Sequence, residues 1–452
     1  MKIILNANET VLKILKRFKK TDTCTRMIKY CVKTHTDDGV LLFNLLTREL
    51  VLLTDDEYAH FTELEYLRDR WFVVPEEANE KEYMSFIRWF LGTHRKNLDT
   101  ITGYTIFPTT DCNARCFYCF EHKFSKITMS RETAVKIVQY IKKHSGGKRV
   151  WLYWFGGEPL FNREVMDIIC TGLREEGIEY SSSATTNGYL FDDEVVQKAV
   201  NLWNLKAVQI TLDGTEEVYN RIKAYIDSEG SPYQKVLRNI ELLADASVKT
   251  TIRLNIDLHN ADDLMSLANE LSERFNGKKN IKAYLYPLFR NNEPMAELHS
   301  EDEWNLREAA IERIEEKLME RDLLHTPKLA RVIRESHCMA DRGDAVSIFP
   351  DGNIGLCDQY SDPEYIGHID SEGFDFGIVE SWRETVPEVP ECADCFYYPD
   401  CIKIKKCGIS SVCFPFFRRL RLKEIKRAMA IEYEKWKADD LTENDDVEIN
   451  LH

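Results

Sequence analysis

Between residues 101 and 287 the chain alternates short apolar runs with longer amphipathic stretches. The runs at 101–107, 149–155, 180–185, 207–212, 250–256 and 281–287 are rich in β-branched and aromatic residues and read as strands. The stretches between them predict helices over 131–143, 162–175, 192–201, 233–243 and 261–275. Strands alternating with helices imply parallel strands joined by right-handed crossovers. Roughly 190 residues fall short of the ~250 of an eight-unit barrel. The expected fold is therefore α/β, a partial (β/α)6 TIM barrel spanning residues 100–300. Its site would lie where the strands end, the edge that carries chemistry in βα architectures.

The flanks follow other patterns. Residues 27–32, 39–44 and 46–53 read as three strands, with Asp37-Asp38-Gly39 as a turn. Thr54 and Glu57 form a capping-box pattern ahead of a helix through Tyr58, Phe61 and Leu64. A small winged-helix-like module over 1–95 is expected; a plain extension of the barrel is the alternative. Residues 301–321 read as a charged helix within a connector, 301–335. Residues 336–425 are dense in Cys, Gly and Pro with a weak apolar pattern, and are expected to need metal to fold. Residues 426–452 are expected to form a C-terminal helix and an acidic solvated tail over 439–446. The basic stretch 418–423 is read as that helix's solvated face in preference to a nucleic-acid patch.

Composition narrows the class. The chain has 452 residues, 44% hydrophobic and 30% charged, which is ordinary for a globular protein. A net charge of −16 disfavours nucleic acid as a partner. No apolar stretch is long enough to span a bilayer, so no membrane partner is expected. The N-terminus lacks a signal-peptide pattern, which makes the cytoplasm the expected compartment.

Thirteen cysteines in a reducing compartment point to metal rather than disulfides. Cys24, Cys31 and Cys170 stand apart and read as small buried hydrophobes. The other ten form two groups. Cys112, Cys116 and Cys119 lie within Asp-Cys-Asn-Ala-Arg-Cys-Phe-Tyr-Cys-Phe-Glu, after the first barrel strand. Three thiolates in one loop can hold three irons of a cubane and leave the fourth open, because such clusters usually take four cysteines. A zinc site of three cysteines and a distant histidine is the alternative. Tyr118 before the third cysteine, Gly156-Gly157-Glu158-Pro159 after the second strand and Thr186-Asn187-Gly188 after the third oppose it.

With these three landmarks in order, the chain resembles the radical S-adenosylmethionine (SAM) enzymes. The resemblance implies that Cys112, Cys116 and Cys119 hold a 4Fe–4S cluster whose open iron binds SAM. One electron then cleaves SAM to a 5′-deoxyadenosyl radical that takes hydrogen from a substrate. It further implies SAM contacts from Tyr118, Gly156, Gly157, Glu158 and Ser183. In that reading the glycines let the backbone approach the methionine ammonium, and Glu158 is its anionic partner. Arg221 reads either as the partner of the SAM carboxylate or as a surface arginine.

Cys338, Gly352, Cys357, Cys392, Cys395, Cys401, Cys407 and Cys413 resemble the SPASM extension of the same superfamily, which holds two auxiliary 4Fe–4S clusters, three clusters in all. The family pattern gives one cluster Cys392, Cys395, Cys401 and Cys413, and the other Cys338, Cys357 and Cys407. Five residues separate Cys401 from Cys407 where the family usually has three, which leaves the partition of Cys407 and Cys413 open. The three-ligand cluster would offer an open iron to a substrate thiolate, or be closed by an Asp, His or water.

The first 95 residues resemble the leader-recognition module of ribosomal peptide maturases, which adds a peptide strand to a sheet edge. Together these resemblances imply a sactipeptide- or ranthipeptide-type maturase that installs a thioether in a precursor peptide bearing a leader, with flavodoxin or ferredoxin as electron donor. A carbon–carbon crosslinking maturase, a formylglycine-type sulfatase maturase and a non-catalytic metal-binding or sensor protein are the other readings.

Overall fold

The computed structural model describes residues 1–18, 24–92, 97–123, 125–288, 301–334, 336, 338–359, 364–407, 413 and 415–449. The N-terminal part contains β1 (Lys2–Leu5), β2 (Cys24–Met27), β3 (Cys31–Thr36), β4 (Gly39–Asn44), β5 (Glu49–Leu53) and β6 (Val73–Pro75). Four of these form an antiparallel sheet in the order β1-β5-β4-β3, while β2 pairs with β6.

Three corrections to the expected strands have local causes. The run at 27–32 is two strands, because the chain changes partners: Met27 pairs with Val73, and Cys31 with Asn44. The run at 46–53 begins only at Glu49, because the Asn44 side chain accepts hydrogen bonds from the amides of Leu46 (2.9 Å) and Thr47 (3.3 Å). A fourth strand, β1, joins the sheet; its short, largely exposed sequence carries no period-2 signal. The Thr54–Glu57 capping box forms.

The barrel strands are β7 (Gly103–Ile106), β8 (Val150–Trp154), β9 (Tyr180–Thr186), β10 (Leu205–Leu212), β11 (Lys249–Ile256) and β12 (Ile281–Pro287). All neighbours pair in parallel, in chain order. Helices Arg131–His144, Arg163–Glu175, Asp193–Asn201, Pro232–Asp245 and Ala261–Arg274 alternate with them. The strands alternate sharply. Val208, Ile210, Leu212, Ile252 and Leu254 are buried in the core shared with the helices. Gln209, Thr211 and Arg253 are only partly buried, on the opposite, concave face. That polar inner face is the mark of an incompletely closed barrel, since closed parallel sheets are apolar on both faces.

The cysteine-rich segment contributes β13 (Ala345–Ile348), β14 (Asn353–Gly355) and β15 (Gly367–His368). β13 pairs in parallel with β7, so the barrel sheet has a seventh parallel strand from residues the sequence pattern left without a strand. Its four-residue run, Ala-Val-Ser-Ile, is too short to register as periodic.

A helix over Pro415–Ile449 closes the described chain. The acidic residues 439–446, expected as a tail, continue this helix, and 450–452 lie outside the described residues. The basic stretch is not a solvated face. Arg419, Lys423 and Arg427 pair with Glu308, Glu312 and Glu315 of helix Glu301–Met319 at 3.2, 2.9 and 2.9 Å. Spacings of four residues on the last helix and of four and three on its partner put the pairs in matching rows, and the pairing spends the basic patch.

The N-terminal part is welded to residues 390–401. Arg48 grips Asp400 through both guanidinium nitrogens at 2.9 and 2.5 Å, with Arg48 1% exposed. Arg88 donates to the carbonyls of Tyr398 (2.6 Å) and Cys401 (2.8 Å). Tyr30 stacks on Tyr398. Replacing Arg48 by Met strands a nearly buried carboxylate. Asp400 keeps 9% exposure, so a cost at the low end, about 2–3 kcal/mol, is expected. Denaturant unfolding, followed alongside iron retention, measures it.

Candidate functional site

The cysteine loop leaves β7 through Phe107. Phe107 is fully buried, stacked on Phe349 with ring centroids 4.7 Å apart. Cys112 accepts N–H···S contacts from the Ala114 amide (3.3 Å) and the Asn187 side chain (3.8 Å). Asn187, in the turn after β9, also donates to Asn113 at 2.7 Å. Burial, then the nearby Glu158 charge, pushes the Cys112 thiol up to about 12. Burial first, then Glu121, pushes Cys119 up to about 11. Burial also raises Cys116, against the lowering charge of Lys223. The three sulfurs are close enough for Cys112 to feel both others. Thiols held this high are protonated at neutral pH, so loading with iron must release their protons.

The donor set suits an iron–sulfur cluster, which takes thiolate ligands and seats each on a different iron.

The turn Gly156-Gly157-Glu158 packs onto this loop. A Cβ on Gly156 would lie 2.4 Å from the Thr109 carbonyl oxygen, and one on Gly157 would lie 2.2 Å from that of Asp111. The Gly157 amide donates to Thr109 (3.2 Å) and the Glu158 amide to Asp111 (3.0 Å). The absent Cβ atoms therefore admit the cysteine loop itself. Gly157→Ala is expected to displace the loop, costing about 1–3 kcal/mol, and to lower bound iron; iron analysis and cluster absorbance read this directly.

Glu158 is fully buried. It accepts from the Leu160 amide (3.1 Å), the Thr186 hydroxyl (2.8 Å) and the Asn187 amide (2.7 Å), pinning the turn after β8 to the turn after β9. Burial raises its carboxyl to about 7 against these three donors.

Tyr118 donates its hydroxyl to Asp213 (2.8 Å) and accepts from Lys223 (3.1 Å). Lys223 and Asp213 are 4% and 1% exposed and pair at 3.0 Å. Burial lowers the Lys223 ammonium, but Asp213, Cys116, Tyr118 and Tyr219 together outweigh it and hold the lysine well above its ordinary value, charged beside Cys116. Lys223 ends a helix, Glu216–Lys223, absent from the sequence reading. Two glutamates in its first turn and Arg221 and Lys223 in its last suit the helix dipole. Arg221 is exposed, and the structure does not bring it to the loop. The cation there is Lys223, whose only sequence signal was its place downstream of the strand-end Asp213.

Ser183 lies on the concave face, accepting from the indole of Trp151 at 3.0 Å. The other cysteines gather in two sets. Cys338 feels Cys407, and Cys357 feels both. Burial pushes Cys338 to about 11 and Cys357 to about 12. Cys395 feels Cys392 and Cys413, and Cys401 feels Cys395 and Cys413, so the structure groups these four. Cys407 thus falls with the first set and Cys413 with the second. Asp358, beside Cys357, was not singled out in the sequence. Its charge reaches both Glu121, two residues past Cys119, and Tyr153 of β8. Burial raises Asp358 to about 6 and Glu121 to about 8.

The Radical SAM superfamily profile matches residues 106–271, from the last residue of β7 to the helix before β12. That stretch matches a radical SAM domain. A probable GTP 3′,8-cyclase of Archaeoglobus fulgidus is 30% identical over 195 residues, 41% of this chain and 59% of that protein. An AdoMet-dependent heme synthase of Methanosarcina barkeri is 23% identical over 183 residues, 40% of this chain and 48% of that protein. The chain thus spans about half to three-fifths of these relatives' length. Among solved structures, anSMEcpe with bound AdoMet and Cp18Cys peptide superposes with a TM-score of 0.55 at 17% identity, covering 74% of this chain and 99% of that one. Streptococcus suis SuiB bound to S-adenosylmethionine gives 0.50 at 14% identity, covering 83% and 94%. These likenesses establish a shared fold beyond the radical SAM domain. Among the described residues no helix is long and apolar enough to cross a membrane.

Proposed function

We propose that the chain is a radical SAM maturase that joins a cysteine sulfur to a carbon of another residue in a ribosomally made peptide. The observation that carries this reading is that the second cysteine-rich segment joins the barrel sheet beside the strand that leads into the first cysteine loop. β13 seats the segment between Cys338 and Cys357 directly against β7, and Asp358 is within electrostatic range of residues beside the first triad.

In this reading Cys112, Cys116 and Cys119 hold the SAM-binding cluster, and Cys338, Cys357 and Cys407 hold one auxiliary cluster. Cys392, Cys395, Cys401 and Cys413 hold the other. When bound, the first cluster and SAM supply the radical that removes hydrogen from the substrate. The protein's part is positioning. Lys223 keeps a positive charge beneath Cys116, Glu158 fixes the two turns above the strands, and Tyr118 is locked by Asp213. Three cysteines at the first auxiliary set leave a ligand position that suits a substrate thiolate. A flavodoxin or ferredoxin serves as electron donor in this scheme, and the N-terminal sheet offers the edge strand β3 to a leader. The Cp18Cys peptide bound to anSMEcpe, a structural neighbour, supports a peptide substrate.

The test has two stages. Reduced, reconstituted enzyme is expected to cleave SAM to 5′-deoxyadenosine; no cleavage with full iron loading sinks the radical reading in favour of a binding protein. Mössbauer spectra are then recorded with and without a cysteine-containing peptide. A changed iron site supports thiolate binding, and unchanged spectra count against thioether chemistry. Turnover of GTP in place of peptide would move the protein toward its cyclase relatives.

A further inference from the structure

Arg253 sits midway along β11, in register between Thr211 of β10 and Tyr284 of β12, on the concave face of the sheet. Its guanidinium stacks on the Tyr286 ring at 3.9 Å, and its Nε donates to Asn255 at 2.9 Å. Asn255 is itself fixed, because its amide nitrogen donates to the buried Asp213 at 2.8 Å. A chain from Asp213 through Asn255 thus sets the orientation of the arginine fork. Among the described residues no carboxylate forms an ion pair with Arg253. Arg253 is only partly buried and so open to a ligand, and a planar, oriented guanidinium is the group best shaped to take a carboxylate through two parallel hydrogen bonds.

We propose that Arg253 anchors a carboxylate of the peptide substrate inside the barrel. The inference rests on the peptide reading above and adds the substrate's chemistry: an acidic side chain or a free C-terminus reaches β11. The SAM carboxylate is the competing anion. Three strand spacings separate β8, which carries the Gly-Gly-Glu turn, from β11. That is roughly 14 Å along the sheet, and Lys223 already supplies a cation beside the cysteine loop.

Saturation-transfer NMR on full-length reconstituted enzyme tests this without turnover. The probes are N-acetyl-aspartate N-methylamide, its asparagine counterpart and N-acetyl-alanine, each without and with saturating SAM. The acidic probes are expected to bind at least tenfold tighter than the asparagine probe, and the tighter of the two identifies side chain or C-terminus. Arg253→Met is expected to erase the difference. Arg253→Lys, which keeps the charge but not the fork, should retain part of it. Equal binding of the aspartate and asparagine probes, undiminished binding to Arg253→Met, or displacement of the acidic probes by SAM overturns the proposal. Failure of the peptide-radical reading shows separately, as absent SAM cleavage, because the NMR readout needs no chemistry.

Discussion

Replacing Cys116 by alanine is expected to abolish SAM cleavage and to remove one cubane's worth of iron, about four atoms per chain. Cys116 is the middle cysteine of the loop, and its carbonyl accepts the Cys119 amide at 3.1 Å, so it also shapes the turn that carries the third sulfur. Two thiolates cannot replace three: the cluster would lose a second protein ligand beyond the position left for SAM. The auxiliary sets lie on other segments and are expected to keep their iron. Iron and sulfide analysis, with 5′-deoxyadenosine measured after reduction, reads both effects. Residual SAM cleavage above background would show that the triad is not the radical-generating site.

Lys223→Met carries the second large expectation. It removes the cation from a pair in which Asp213 is 1% exposed. Asp213 would keep the Tyr118 hydroxyl and the Asn255 amide, but its charge would be uncompensated. Breaking such a pair from one side costs about 3–5 kcal/mol. Adding Asp213→Asn removes both charges and is expected to recover more than half of the loss. Urea unfolding measures all three proteins. A double variant no more stable than Lys223→Met would mean that Lys223 acts through packing alone.

The barrel was legible because its signals are local. Each of the six strands carries its own run of apolar and β-branched residues, and each helix its own period. The structure moves their ends by only a residue or two, as with β10, which starts at Leu205 rather than residue 207. The cysteine loop and the Gly-Gly-Glu turn were equally visible, since their chemistry depends on residue type and short spacing. The packing of the glycines was less so. Their missing Cβ atoms make room for the Thr109 and Asp111 carbonyls, a contact between segments about fifty residues apart that no local pattern encodes.

The sequence by itself thus determined the parallel βα core, the first cysteine triad and the existence of a second cysteine-rich segment. Only the tertiary structure decided how they meet. β13 reaches across more than two hundred residues to pair with β7, and that pairing brings Cys338 and Cys357 to the barrel. Lys223, not Arg221, lies under the cluster loop because one turn of an unforeseen helix turns one side chain inward and the other to solvent. The basic stretch on the last helix became an inter-helix ladder for the same reason. Hydrophobic period and spacing fix which elements form; which buried charge finds which partner depends on geometry that exists only once distant strands and helices have packed.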